Sequence, residues 1–287
     1  MLLSSFSFAL VNLMVKILAD RKDAFPDIQN YPEFELVFFR CVVSLVICFA
    51  IIRRKKIPFF GMNKKWLLIR GIAGSIGLTL FFYTLTNLPM AIATIIQYSS
   101  PIFTVILAIY LNKQKVKPVQ WLFFLVAMSG IAVIGLSKIE NAPIDPFWII
   151  VGLTSAVFSG IAYNAIIKCT PTDEPITVVM YFPLVAAPIT LVLLLTTGYV
   201  VPQGIEWLLL LLIGILTQIA QITMTRAFNS DSAAKITPIK YVGAIYAVAI
   251  GFFIFDETLS LYAILGIILV LLGVLLNTFF KRLKVTN

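Results

Sequence analysis

Ten times along its 287 residues this sequence stays apolar for about the twenty positions that a helix needs to cross the hydrocarbon core of a bilayer. The runs lie near 1–18, 34–52, 66–85, 91–111, 119–136, 146–167, 177–196, 207–228, 232–255 and 259–280. Only short polar segments separate them, so hardly any chain remains for a water-soluble domain. Sixty per cent of the residues are hydrophobic and 12% charged, a balance that a soluble domain of this size does not show. The runs are uniformly apolar, which predicts helices instead of the alternating strands of a barrel.

The charges that remain report topology. With the amino terminus cytoplasmic, fifteen lysines and arginines fall in cytoplasmic segments and three (Arg21, Lys22 and Lys138) on the other side, while Lys16, Arg40, Arg70 and Lys240 lie within or near span ends. That bias predicts both termini inside. The net charge of +9 is accounted for by these loops, so no nucleic-acid partner is expected. The first run is read as a retained helix, because Lys16 and the Asp20-Arg21-Lys22 segment stand where a signal peptide would carry small residues for cleavage. Cys41, Cys48 and Cys169 lie in or at the ends of spans and give no disulfide framework. No histidine and no phosphate-binding loop is present, so neither a metal nor another cofactor is expected, nor ATP hydrolysis by this chain.

The sequence also repeats itself. At a constant offset of 143, Pro32 matches Pro175, Phe39 matches Phe182, Gly71-Ile72 matches Gly214-Ile215, Thr94 matches Thr237, Tyr98 matches Tyr241 and Gly130 matches Gly273. The first span matches at 152, pairing Asn12 and Lys16 with Asn164 and Lys168. Residues 1–138 and 139–287 thus form two halves of five helices each, and an odd number of spans forces the second half to enter the membrane inverted. The expected fold is an all-α integral membrane protein of ten transmembrane helices.

Two inverted five-helix halves resemble the drug/metabolite transporter superfamily, of the type with paired EamA repeats. The resemblance covers essentially the whole chain. It is carried by Asn12-x-x-x-Lys16, by the Pro101 helix ending in a charged turn, and by Phe252-Phe-Ile-Phe-Asp256-Glu257-Thr-Leu-Ser260; Gln114 replaces the equivalent glutamate in the first half. Glu35-Leu-Val-Phe-Phe-Arg40 with Arg70-Gly71-Ile-Ala-Gly74-Ser-Ile-Gly77 looks most like the branch that includes nucleotide-sugar-related solute carriers and their bacterial relatives. The resemblance implies a secondary carrier with alternating access, and raises Lys16 from a headgroup anchor to an inward-facing residue.

The candidate solute site lies where the fourth and ninth spans face each other. Lys240 falls about 12 Å into its span at 1.5 Å per residue, near mid-membrane, where a lysine costs about 3 kcal/mol unless it meets a cavity or a partner. Gln97 is its counterpart in the first repeat. Pro101 cannot donate to the Gln97 carbonyl, so the helix should kink beside Gln97 and Ser100, and Pro238 should act likewise less deeply. Tyr98 and Tyr241 could stack on a solute or simply pack. Arg40 could fork onto an anion or snorkel to the outer headgroups. Arg70 reads as an interface anchor, and Asn12 with Asn164 as glue between helices or as solute ligands. Gln218, Gln221 and Thr225 make one polar stripe, which must face the cavity or another helix. Tyr83 and Tyr163 are weaker candidates, and Glu35 and Glu257 are the only plausible proton carriers.

The function expected is secondary transport or exchange of a small polar metabolite, anionic or zwitterionic, by a monomer or homodimer without enzymatic activity. In a bacterium it would sit in the inner membrane. The alternatives are an exporter of neutral amino acids or amphipathic compounds of the same superfamily and, more remotely, a channel or assembly subunit.

Overall fold

The computed structural model of the protein describes residues 1–19, 28–87, 93, 96–136, 146–254 and 261–279. Asp256 and Glu257 fall outside them. Among the described residues all regular structure is helical: α1 (Leu2–Leu18), α2 (Glu33–Lys55), α3 (Lys64–Asn87), α4 (Ser100–Asn112), α5 (Pro118–Leu136), α6 (Pro146–Cys169), α7 (Pro175–Thr197), α8 (Glu206–Ser230), α9 (Ala233–Ile236), a 3₁₀ turn (Thr237–Tyr241), α10 (Val242–Ile254) and α11 (Leu261–Phe279). Helices α2, α3, α6, α7 and α8 are long and apolar enough to cross a membrane. Shorter apolar helices lie in α1, α4, α5 and α11.

Local chemistry sets several ends. Helix α2 opens on Glu33 and Glu35 and closes on Arg53, Arg54 and Lys55, charges that complement its dipole. It stops at Lys56, a left-handed residue with φ 53°. Pro175 starts α7, where its missing N–H costs nothing. The same helix carries Pro183 and Pro188 in its interior.

The outer surface is a belt of bare apolar side chains, among them Val46, Ile150, Val192, Leu195, Leu211 and Ile268. A water-soluble monomer does not expose so much apolar surface; lipid is its natural neighbour. Inside lie buried serines, threonines and amides that pair with each other and with backbone. This is a multi-pass membrane protein.

The larger helix contacts join one half of the chain to the other, and they come in mates under exchange of the halves. Contact of α3 with α6 is mirrored by α8 with α1, α2 with α8 by α7 with α3, and α4 with α6 by α10 with α1. Helices α2 and α7, and α5 and α11, pair with their own counterparts. At the last interface the mirror reaches single atoms. A Cβ on Gly130 would stand 2.6 Å from the Gly266 carbonyl and 2.7 Å from Val270 N, while one on Gly273 would stand 2.7 Å from the Phe123 carbonyl and 2.5 Å from Ala127 N. Phe123 and Ala127 are the residues that the 143 offset pairs with Gly266 and Val270.

Two spans are broken. The ninth was expected as one helix over 232–255, but it turns from α9 into a 3₁₀ segment at Thr237, with Pro238 near its start, before resuming at Val242. In the fourth, Tyr98 and Ser99 form a turn, and Pro101 begins α4 instead of bending a continuous helix. A proline in mid-span has no N–H to donate to the preceding turn, and starting a new helix is one way to remove that conflict.

Candidate functional site

Ser155, Ser159 and Tyr163 recur every four residues on α6 and so share one face. Both broken spans meet that face. Gln97 Nε2 donates to Ser159 Oγ at 3.1 Å, and the Ser155 hydroxyl lies 3.0 Å from Gln97 Oε1 and 2.6 Å from the Gly77 carbonyl. One turn further along, Lys240 Nζ donates to Tyr163 Oη at 2.9 Å and lies 4.1 Å from the centre of its ring. Tyr163 in turn stacks on Phe228, ring centres 5.5 Å apart. The amide and the ammonium, which the repeat makes counterparts, thus occupy adjacent turns of one helix face. Lys240 and Tyr163 are half-buried, and Lys240 rides on the 3₁₀ segment, where the regular helical bonds are broken.

Tyr98 and Tyr241 meet edge to face with ring centres 6.0 Å apart, which brings the fourth and ninth spans together as the repeat predicts. Gly243 makes room for this contact, since a Cβ there would fall 2.6 Å from Tyr98 Oη. Tyr241 is fully buried and also packs on Phe124 at 5.7 Å; its hydroxyl has no partner. Ser100 and Pro101 are buried at the start of α4, and the Ser100 carbonyl accepts from Thr104 Oγ1. Pro238 is buried in the 3₁₀ turn.

A second polar group lies between α2, α3, α7 and α8. Arg70, read from the sequence as an interface anchor, is only 3% exposed and donates from Nη2 to Gln221 Oε1 at 2.9 Å. That reading is corrected: Gly74, one turn on, carries no side chain where the guanidinium lies, so the arginine folds into the bundle. Arg40 is 4% exposed, which removes the snorkelling alternative. Both guanidinium carbons stand 5.5 Å from the centre of the Phe182 ring. Tyr163 stacks on Phe228, two turns along α8 from the Gln221 that holds Arg70, so this group and the Lys240 group adjoin the same face of one helix. Gln218 bonds Ser44 and donates to Cys48 Sγ at 3.0 Å, so the amide stripe of α8 faces α2 and α3. Thr217 and Thr225 are buried beside it with unpartnered hydroxyls.

Other candidates stand apart. Asn164 Nδ2 donates to the Thr104 carbonyl at 2.9 Å and its Oδ1 accepts from Asn112, so it ties α6 to α4. Asn12 and Lys16 are half-buried one turn apart on α1. Glu35 is buried and accepts Val200 N at 3.0 Å. In the sequence Tyr163 stands as a weaker candidate and Phe182 only as the repeat counterpart of Phe39. The four-residue spacing of Ser155, Ser159 and Tyr163, and of Arg40, Ser44 and Cys48, was the available signal.

Each end of the bundle is tied by an acid. Asp173 accepts the backbone N–H groups of Met62 and Asn63, and Asn63 Nδ2 donates to the Lys168 carbonyl. At the opposite end Glu206 accepts from Gln29 N, Gln203 N and the Tyr31 hydroxyl. Burial, and then its bond to Glu206, hold the Tyr31 phenol above its ordinary pKa, so it remains a donor.

The family model described as the EamA-like transporter family matches residues 1–136 and again 146–279. The chain is 28% identical over 273 residues to the pseudopaline exporter CntI of Pseudomonas aeruginosa, covering 94% of this chain and 92% of that one. It is 25% identical to mouse solute carrier family 35 member G1, covering 94% and 75%, and 23% identical to the S-adenosylmethionine uptake transporter of Rickettsia felis, covering 78% and 76%. A crystal structure with 16% sequence identity superimposes with a TM-score of 0.78 over 98% of both chains, a likeness of fold.

Proposed function

The chain belongs to the EamA-like transporter family, and on that premise we propose that it is a secondary carrier which moves a small polar metabolite bearing at least one negative charge. The solute binds on the α6 face where the two broken spans meet. Lys240 takes its anionic group, Tyr163 positions the ammonium, and Gln97 with the peptide groups freed at Tyr98–Ser99 and Thr237–Tyr241 holds the polar remainder. The observation that carries this reading is a lysine on a 3₁₀ break in mid-span, held to a tyrosine and to no acid among the described residues. Broken helices at the midplane are how carriers expose backbone to a solute without exposing it to lipid.

The chain crosses the membrane ten times as two inverted halves, 1–138 and 139–287, with both termini cytoplasmic, in the inner membrane of a bacterial source. Support comes from the loops: those assigned to one side bond each other, as Met62 and Asn63 with Asp173, Ala233 with Gln114, and Gln29 with Glu206. Alternating access then rocks the two sets of mated contacts about the α5–α11 axis.

Purified protein in liposomes should exchange a carboxylate or zwitterion taken from a metabolite panel. Lys240→Ala should lower that exchange at least about tenfold, the cost of losing one charge-assisted contact, with fold and yield unchanged. Full activity in the variant would remove the lysine from the site.

A further inference from the structure

Arg40 and Arg70 are more deeply buried than Lys240, yet no acid among the described residues neutralises them. Among the described residues no carboxylate lies within ion-pair distance of either guanidinium. Three of the described acids are engaged at the bundle ends: Glu35 by Val200, Asp173 by Met62 and Asn63, Glu206 by Gln29, Tyr31 and Gln203. The Nε of each arginine has no hydrogen-bond partner, and Gln221 supplies the pair with a single acceptor. The two like charges share one ring, each guanidinium carbon 5.5 Å from the centre of Phe182. Arginine does not shed its proton to escape such a place, so the charge persists and calls for an anion. The surroundings are shaped to keep it there, with one Phe182 ring under both guanidiniums and the space at Gly74 left open for Arg70.

We infer that the Arg40–Arg70 pair is a second anion subsite and that the solute therefore carries two separate acidic groups, one forked by the arginines and the other held by Lys240. The inference rests on the anion-carrier reading above and narrows its substrate class. Tyr163, bonded to Lys240 and stacked on Phe228 two turns along α8 from Gln221, presents its ring and hydroxyl to the body of the solute. A monoanion leaves two of the three charges uncompensated in the membrane interior. A dianion distributes its charge over both subsites and matches the forked geometry that arginine offers a carboxylate.

The test uses full-length protein in detergent and reads thermal stabilisation as affinity. Linear dicarboxylates of three to six carbons are each compared with their own monoamide, which keeps the length and removes one charge. At least one diacid should bind about tenfold tighter than its monoamide, the worth of one charge-assisted contact. R40Q or R70Q should bring that ratio close to one while monoamide affinity is retained, and R40K and R70K should keep part of it. Equal affinity of diacid and monoamide in the wild type, which needs no variant to fold, overturns the two-anion inference and leaves the single-anion carrier standing. A ratio unchanged in both glutamine variants removes the arginines from the subsite. Silence toward every anion, with a response to neutral or cationic solutes, overturns the inference and the carrier reading together.

Discussion

At the scale of residues, this bundle distinguishes polar groups that tie helices from polar groups left waiting. Asn164 and Gln218 satisfy themselves across helix boundaries, whereas Arg40, Arg70 and the hydroxyls of Thr217, Thr225 and Tyr241 keep unpartnered atoms in the interior. The glycines show how finely the packing is set. Gly130→Val and Gly273→Val should each lower the thermal unfolding midpoint, by an overpacking cost of about 1–3 kcal/mol, because backbone of the facing helix stands within 2.7 Å of the new Cβ. The two losses should be similar, since each glycine meets the counterparts of what the other meets; a strong disparity would deny the mirror relation at this interface. Lys240, Gln97 and Arg40 were legible as single polar residues in apolar runs. Arg70 was not, because its depth depends on Gly74 and on which helices surround α3, and linear distance from a span end carries neither fact.

At the scale of elements, the broken spans and the end ties divide the work. The sequence repeat made the fourth and ninth spans counterparts and predicted backbone disruption at both prolines, but not its form. Whether Pro101 bends a helix or begins one depends on how the chain before it packs on α6, which the periodicity of a uniformly apolar run does not encode. The ties exchange roles between halves. Asn63 of one tie has Glu206 as its counterpart in the other, so the acid sits on opposite partners at the two ends. Removing one charge should bias the carrier. Asp173→Asn should speed labelling of Cys169, fully buried one turn away, by a membrane-permeant maleimide several-fold in a Cys41→Ser, Cys48→Ser background. Glu206→Gln at the other end should leave that rate unchanged or slower. Equal acceleration by both would mean that the substitutions loosen the fold in general.

At the scale of the whole molecule, the sequence announced a membrane bundle and two related halves, because lipid imposes long apolar runs and a repeat is plain at fixed offset. It did not announce how thoroughly the halves interlock. The main contacts of α1, α2, α3 and α4 are with helices of the other half, and Phe182 and Gln221, which attend the two arginines, also belong to it. Biosynthesis must respect this. Arg40 and Arg70 leave the ribosome more than a hundred residues before Phe182, so the emerging first half holds two buried-to-be cations with neither aromatic ring nor amide to receive them. Residues 1–138 expressed alone should therefore fail to accumulate in membranes, and co-expression of 139–287 should rescue them, as followed by a tag on the first fragment. Newly made chain would dwell at the membrane half-inserted, its arginines near the lipid headgroups, until the second half arrives to draw them inward. The duplicated gene is thus read as two sentences, but the protein can be assembled only as one.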